Sequence, residues 1–121
     1  MTDASLASDF DIASIPGWHA HIYYDPATTR GRAERLRAKI AANFPQVRIG
    51  GWHDELVGPH TRAMFQALFD ADLFERFVPF LAFNRDGLAI LLHADGTGDG
   101  RKAHTDQAIW MGEVLPVKFR P

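Results

Sequence analysis

The sequence predicts an α+β fold of the ferredoxin-like βαββαβ type, in which one antiparallel sheet carries two helices on one face. Segments with strand character and segments with helical spacing follow one another in the order β-α-β-β-α-β, separated by proline, glycine and aspartate. The 121 residues are 46% hydrophobic, which supplies enough apolar material for the core of one domain. We expect residues 1–15 to form a mobile tail and residues 16–121 to form that single domain.

The first strand and the first helix have the clearest boundaries. Trp18–Tyr24 is rich in aromatic and β-branched residues and stops before Pro26, so it is predicted to be a strand. Thr28 or Thr29 is a suitable N-cap for a helix that runs to about Asn43. The apolar residues at helical spacing in this segment are Ala33, Leu36, Ile40 and Phe44.

The remaining elements are shorter. Val47–Trp52 is predicted to be the second strand, and the alternating run His60–Phe69 is predicted to be the third. An aspartate then caps a second helix, and Leu88–His93 forms the fourth strand after a turn. Val114–Phe119 is predicted to be a last short strand. The apolar face of the second helix consists of Leu73, Phe74, Phe77 and Val78.

Composition excludes several classes of function. Lys and Arg number 13 against 15 for Asp and Glu, and no basic run is present, which argues against nucleic-acid binding. Cysteine is absent, so any metal must be held by nitrogen and oxygen ligands. No stretch approaches the roughly 20 apolar residues that a membrane-spanning helix needs, and the N-terminus lacks the pattern of a signal peptide. We therefore expect a cytoplasmic protein with no membrane contact.

The predicted strands place histidines on the same face of the sheet. Side chains alternate along a strand, so His19, His21 and Tyr23 share one face of the first strand. The same alternation puts His60 of the third strand and His93 of the fourth strand on the face away from the helices. Neutral imidazoles at positions i and i+2 of a strand point the same way, which favours joint binding of a metal.

The sheet order of this fold, 4-1-3-2, brings these histidines closer together. It sets His93 beside the start of the first strand and His60 near that strand's end. His53 follows the second strand a short turn before His60, and the loop that carries His104 leaves directly from His93. Five or six imidazoles are thus expected on one open sheet face, as a metal site. The alternative is a polar, hydrogen-bonded cluster beneath a dimer interface.

A series of short motifs, in order along the chain, resembles the DOPA 4,5-dioxygenase family, which comprises fungal-type pigment enzymes and bacterial relatives. The resemblance covers about residues 17 to 118. The motifs are Trp18–Asp25, Gly51–Asp54, Gly58–His60, Met64–Gln66, Phe77–Leu81, Asn84-Arg85, Gly87-Leu88, Leu92-His93, His104–Asp106 and Trp110–Glu113. All six histidines fall on histidine positions of these motifs. Two positions depart from the family pattern: Gln107 replaces a second histidine, and Thr61 replaces a proline.

This resemblance implies a ferredoxin-like domain, expected to be a homodimer, with the activity of an extradiol ring-cleaving dioxygenase. Such an enzyme uses Fe(II) and O2 to open a catechol such as DOPA beside its two hydroxyl groups. Zinc or another divalent metal is also compatible with imidazole ligands. Two alternatives remain open: a non-catalytic dimeric α+β module that binds a ligand, and a metalloenzyme with different chemistry.

Extradiol chemistry requires metal ligands, an acid and a base, and a wall for the aromatic ring. We expect His21 and His93 to bind the metal, with His19 or His60 as the third ligand. The predicted acid and base are His104 and His53, because loop residues can reach a bound substrate. The predicted substrate-binding residues are Tyr23 and Trp52, which would wall the aromatic ring, and Arg62, which would pair with a substrate carboxylate.

Overall fold

One five-stranded antiparallel sheet organises residues 10–119, the part of the chain that the computed structural model describes. The strands are β1 (Gly17–Tyr24), β2 (Arg48–Ile49), β3 (Ala63–Asp70), β4 (Ile90–Ala94) and β5 (Ile109–Met111). The helices are α1 (Arg30–Asn43), α2 (Phe74–Asn84) and the short α3 (Gly100–His104). The strand order is β2-β3-β1-β4-β5, with β1 in the centre. The predicted ferredoxin-like order is therefore confirmed, with β5 added beside β4.

The two long helices cover one face of the sheet. Ala33, Leu36 and Ile40 of α1 pack into a single apolar core with Phe77 and Leu81 of α2. This core also takes in the alternate residues of three strands that face the helices. Those residues are Ala20, Ile22 and Tyr24 of β1, Ala63, Phe65, Ala67 and Phe69 of β3, and Ile90 and Leu92 of β4. The period-two pattern in the sequence predicted these faces because only the apolar row can lie under the helices.

Several boundaries differ from the predicted ones. The second strand is limited to Arg48–Ile49, although the N–H of Gly50 still donates to the carbonyl of Gln66 at 2.8 Å. The third strand begins at Ala63, and His60 instead forms an isolated bridge with Val117. The second helix continues through Pro79 to Asn84, whose side-chain amide donates to the carbonyl of Phe80.

The prediction of a last strand at Val114–Phe119 is wrong. The fifth strand is β5, Ile109–Met111, which pairs with β4. Residues 112–119, which we call the C-terminal segment, have no strand and cross the sheet face opposite the two long helices. The Thr61 hydroxyl donates to the carbonyl of Pro116 at 2.6 Å, and Leu115 is buried. Pro116 offers no N–H for a ladder, which disfavours a regular strand there.

The predicted N-terminal tail falls largely outside residues 10–119. Within the described part, Ile12–Ser14 form one turn of 3-10 helix that the side chain of Asp11 caps, and Ile15 is buried. Ordered structure thus begins before residue 16. In the described portion of the chain, no helix has both the length and the apolar character needed to cross a bilayer.

Candidate metal centre

Five of the six histidines meet on the sheet face opposite α1 and α2. His19 and His21 come from β1, and His93 comes from β4, where it pairs directly with His19. His60 lies in the loop before β3, and His104 ends α3, which folds back over this face. We call His19, His21, His60, His93 and His104 the histidine cluster. Strand alternation supplies three members, and a loop and the short helix α3 supply one each.

His21 lies at the centre of the cluster. Its ring centroid is 4.2 Å from that of His60, 5.0 Å from that of His93 and 5.8 Å from that of His104. His93 is in turn 4.3 Å from His104 and 4.9 Å from His19. At these separations the nitrogens of several rings can bind the same ion, which an isolated surface histidine does not allow.

Two sets of three histidines have the spacing of metal ligands. His19, His21 and His93 each offer one ring nitrogen, and these nitrogens lie within 4.8 Å of one another. His21, His60 and His104 form a second set by the same measure. His21 belongs to both sets, so a single ion can use either set with His21 as a common ligand. In the described part of the chain, neither set includes a carboxylate.

Hydrogen bonds fix the tautomers of two of these imidazoles. His93 Nδ1 lies 3.0 Å from the carbonyl of Ala94, and His104 Nδ1 lies 2.7 Å from the carbonyl of Gly100. A carbonyl only accepts, so each Nδ1–H donates and each Nε2 keeps its lone pair. Metal-binding histidines show this arrangement, with the outer nitrogen held by a hydrogen bond. His60 Nδ1 lies 2.7 Å from the Tyr23 hydroxyl, which can donate or accept, so this hydrogen bond orients the ring without fixing its tautomer.

The ring nitrogens around His21 fit a divalent ion. His21 Nε2 and His93 Nε2 lie 2.9 Å apart. Two nitrogens that are each about 2.1 Å from one ion, at a right angle, lie about 3 Å apart. His19 Nε2 and His21 Nδ1 are buried and have no hydrogen-bond partner within residues 10–119. The carboxylate of Asp95 lies 3.5 Å from His19 Nε2, close enough for an ion pair but without hydrogen-bond geometry.

Burial keeps the central imidazoles neutral. Removal from water is the main cause that lowers the pKa of His21 to about 2, and the neighbouring His60 and His93 contribute to the same shift. Burial is also the main cause that lowers the pKa of His60 and of His93 to about 4 each. A protonated imidazole cannot bind a metal, so these three rings are in the ligand-competent form at neutral pH.

The histidine face is not open, in contrast to the expectation from the sequence. His21, His60 and His93 are only 4%, 6% and 5% exposed. The C-terminal segment and α3 cover them: the Phe119 ring lies 6.0 Å from His104, and Arg101 of α3 stacks on Phe119. A second, smaller apolar group lies beside them on this face. Its buried members are Tyr23, Met64, Ala89, Leu91 and Leu115.

Two of the predicted site residues lie away from the cluster. His53 belongs to neither set of ligands among the described residues and forms a bridge with Met64. Trp52 packs on the helix-covered side, 5.1 Å from Phe65, with Arg30 stacked on its ring at 4.4 Å. Trp52 thus lies on the opposite side of the sheet from the histidine cluster, and its assignment to the wall of the aromatic pocket stays a prediction. Because Met64 faces the histidines, its partner His53 faces that way too, and alternation turns Trp52 to the opposite side.

Tyr23 and Arg62 lie near the cluster. Tyr23 is buried, hydrogen-bonds to His60 and stacks on Trp110 at 5.9 Å. Burial raises the pKa of Tyr23, so its phenol remains protonated. Arg62 is exposed and lies 3.5 Å from Glu113 of the C-terminal segment. Lys118 lies with Arg62 and His60 around a cavity of about 490 Å³. It was not predicted as a site residue because it fell within a segment assigned to a strand.

Comparison with known proteins places the chain among named relatives. The model of the Dopa 4,5-dioxygenase family matches residues 18–120. An "Uncharacterized 21.2 kDa protein" from Botryotinia fuckeliana is 36% identical over 124 residues, covering 95% of this chain. The match spans 63% of that fungal relative, so this chain is less than two thirds of its length. The crystal structure of a "putative dioxygenase" from Nostoc punctiforme is 39% identical with a TM-score of 0.85, covering 90% of this chain and 92% of that one.

Proposed function

We propose, from the premise that this chain belongs to the Dopa 4,5-dioxygenase family, that it is a metal-dependent extradiol dioxygenase. Its substrates would be an aromatic diol and O2. The observation that carries the proposal is the histidine cluster, in which ring nitrogens from two β-strands, one loop and the short helix α3 meet in a buried site. The name of the Nostoc relative supports oxygen chemistry of the same kind.

His19, His21 and His93 are the proposed metal ligands. The unpartnered His19 Nε2 belongs to this set, and so do His21 Nε2 and His93 Nε2, which lie 2.9 Å apart. Bound Fe(II) would supply coordination positions at which the diol and O2 can meet. The carbonyl of Ala94 holds His93 in the tautomer that leaves Nε2 free, which orients this ligand before any ion arrives.

His104 and His60 are then available for proton transfer. His104 is held at Nδ1 by the carbonyl of Gly100, so its Nε2 can accept a proton from a diol hydroxyl. His60 is held at Nδ1 by the Tyr23 phenol and lines the adjoining cavity. His53 lies outside both ligand sets, which makes it a weaker candidate for the acid or base than His104.

The overall reaction balances without an added reductant. The ring bond next to the diol breaks, and both atoms of O2 enter the product, one in a carboxylate and the other in an aldehyde. The diol carbon and its neighbour are oxidised while O2 is reduced. The C-terminal segment lies over the cluster and restricts water there, which favours controlled proton transfer by the imidazoles.

A second candidate is a zinc enzyme that activates water. The observation that favours it is a set of three histidines without a carboxylate, which is also a known ligand set for catalytic zinc. A non-catalytic ligand-binding module is the third alternative. The homodimer expected from the sequence remains a prediction beside these proposals.

Loading with metal under anaerobic conditions separates the candidates. The purified chain is stripped of metal, loaded with Fe(II) or with Zn(II), and given a panel of catechols before O2 is admitted. We expect the Fe(II) form to consume one O2 per catechol and to produce a yellow ring-opened semialdehyde, while the Zn(II) form consumes no O2. If the Fe(II) form binds the metal stoichiometrically and cleaves no catechol, the dioxygenase proposal is wrong.

A further inference from the structure

The cavity beside His60 has the size of a small-molecule site. Its volume is about 490 Å³, within the roughly 300–1,000 Å³ that such sites usually occupy. The loop before β3 forms one side, and the C-terminal segment forms the other. The lining residues are Leu56, Gly58, His60, Thr61, Arg62, Pro116 and Lys118. Because His60 belongs to the histidine cluster, a ligand in this cavity lies next to the proposed metal centre.

Among the described residues, the charged side chains that line this cavity are all positive. Arg62 and Lys118 are its charged residues, and no carboxylate is part of its lining. Arg62 is partly neutralised by Glu113, at 3.5 Å, but Glu113 lines a different cavity beside Tyr23. No carboxylate of residues 10–119 lies within 4 Å of the Lys118 ammonium. The cavity thus offers a cation that can pair with an anionic ligand.

Backbone hydrogen bonds hold Lys118 in place beside the cluster. Its N–H donates to the carbonyl of Pro59 at 2.7 Å, and the preceding residue, Val117, bridges to His60. The Thr61 hydroxyl donates to the carbonyl of Pro116, which also holds this part of the C-terminal segment against the same loop. Contacts at three consecutive residues of the C-terminal segment therefore hold the backbone of Lys118 beside His60.

We infer that the aromatic diol bears an anionic side chain without an ammonium group, and that Lys118 selects it. The inference rests on the proposed function and sharpens its substrate class. An arylpropanoate such as 3-(3,4-dihydroxyphenyl)propanoate places its carboxylate among the cations of the cavity. L-DOPA has the same skeleton plus an ammonium group, which would meet Arg62 and Lys118 with no carboxylate of the lining to pair with it.

A matched series of catechols tests the substrate class with the Fe(II)-loaded chain. The series is 3-(3,4-dihydroxyphenyl)propanoate, L-DOPA, 4-methylcatechol and dopamine, which are anionic, zwitterionic, neutral and cationic. We expect kcat/KM to fall in that order, with the propanoate about tenfold above the neutral catechol because one charge-assisted contact is gained. Equal values for the propanoate and 4-methylcatechol, or a higher value for L-DOPA than for the propanoate, would overturn the inference.

Variants of Lys118 test the role of this residue. Lys118→Gln should lower kcat/KM for the propanoate about tenfold and leave that for 4-methylcatechol nearly unchanged, whereas Lys118→Arg should retain the preference. Lys39→Gln, on the exposed side of α1, is the control for loss of one positive charge. Binding of the propanoate to the Zn(II)-loaded chain by calorimetry gives a second readout, and Lys118→Gln should weaken it by about the same factor.

The two proposals fail in different ways. If no catechol is cleaved by the Fe(II) form, the dioxygenase proposal fails. If catechols are cleaved but charge on the side chain has no effect, and Lys118→Gln behaves like Lys39→Gln in kinetics and in calorimetry, only the role of Lys118 fails. Circular dichroism of each variant verifies that the fold is intact, and Lys118→Arg supplies a second test if Lys118→Gln does not fold.

Discussion

The two faces of the central strand are equally buried and chemically opposite. On the helix side, Ala20 and Ile22 of β1 are 0% exposed and belong to the large apolar core. On the other side, His21 and Tyr23 of the same strand are 4% and 3% exposed, yet both carry polar atoms. Strand β1 therefore contributes to two buried regions, the apolar core on the helix side and the histidine cluster on the opposite side.

The difference between the two faces shows which side of β1 stabilises the fold and which side lowers its stability. Burial of apolar side chains contributes about 25 cal/mol for each Å² removed from water. A buried imidazole instead loses its hydrogen bonds to water, and hydrogen-bond partners in the protein or a metal must replace them. The Ala94 carbonyl provides such a partner for His93, and Tyr23 provides one for His60. His19 and His21 each keep a buried nitrogen that has no hydrogen-bond partner among the described residues. The helix side thus stabilises a site that the histidine side alone would not hold together.

The largest effect on stability is expected from Phe77 on the helix side. Phe77 is fully buried and packs edge-to-face against Phe69 at 4.8 Å and Phe44 at 5.0 Å. Phe77→Ala should lower the free energy of unfolding by about 3–5 kcal/mol, because it removes apolar burial and leaves a cavity. Urea denaturation measures the change. The metal bound per folded molecule should stay the same, and a loss of less than 1 kcal/mol would contradict this account of the core.

The next largest effect is expected at the centre of the histidine side. His21 is common to both ligand sets, so His21→Ala should weaken the binding of Zn(II) or Fe(II) about 100-fold or more, as expected when one ligand of three is removed. Metal content after dialysis, measured by mass spectrometry, gives the result. His53→Ala is the matched control, because His53 belongs to neither set among the described residues. Unchanged metal content in His21→Ala would exclude His21 as a ligand.

Acid should destabilise the metal-free protein through the histidine side. The pKa of His60 and of His93 falls from 6.5 to about 4 on folding, and that of His21 falls to about 2, in each case mainly through burial. Below pH 6.5 the unfolded chain therefore binds protons that the folded chain does not. The free energy of unfolding should decrease steadily from about pH 6.5 towards pH 4.5.

Urea denaturation of the metal-free chain at several pH values measures this slope. His93→Gln should show a shallower slope over the same interval, since one of the responsible groups is absent. A free energy of unfolding that stays constant across the interval would show that the imidazoles are hydrated in the folded chain. Added Zn(II) should oppose the loss, because the metal competes with protons for the same nitrogens.

The sequence predicted the sheet and most of the cluster because period-two patterns determine faces. Once β1 was assigned, alternation put His19 and His21 together, and the sheet order brought His93 beside them, as the direct pair His19↔His93 confirms. Helix α1 begins after Thr29 and ends at Asn43 as predicted because its apolar residues recur at helical spacing, although the Thr29 side chain makes no capping hydrogen bond. These features depend on local sequence and on one known topology.

The parts that were missed depend on contacts distant in sequence. Residues 112–119 alternate in a way that resembles a strand, but Pro116 interrupts pairing, and the segment is held by His60 and Thr61, more than 50 residues earlier. Helix α3 has only five residues, too few for a recognisable period. Lys118 therefore had no detectable role in the sequence, because its neighbourhood exists only after the segment folds over the histidine side.

The smallest effect is expected from Trp52. A substitution there tests whether this side chain contributes to packing on the helix side or to substrate binding on the histidine side. Trp52 lies between Arg30 and Arg37 on the helix side, at 4.4 and 5.1 Å from its ring centroid. Trp52→Phe should cost about 1 kcal/mol of unfolding free energy through lost packing and cation–π contact, and should leave the KM for a catechol unchanged. Trp110→Phe is the matched change on the histidine side, where Trp110 stacks on Tyr23, and it should raise KM. If Trp52→Phe raised KM and Trp110→Phe did not, the ring of the substrate would have to bind on the helix side, and the division between the two faces would not hold.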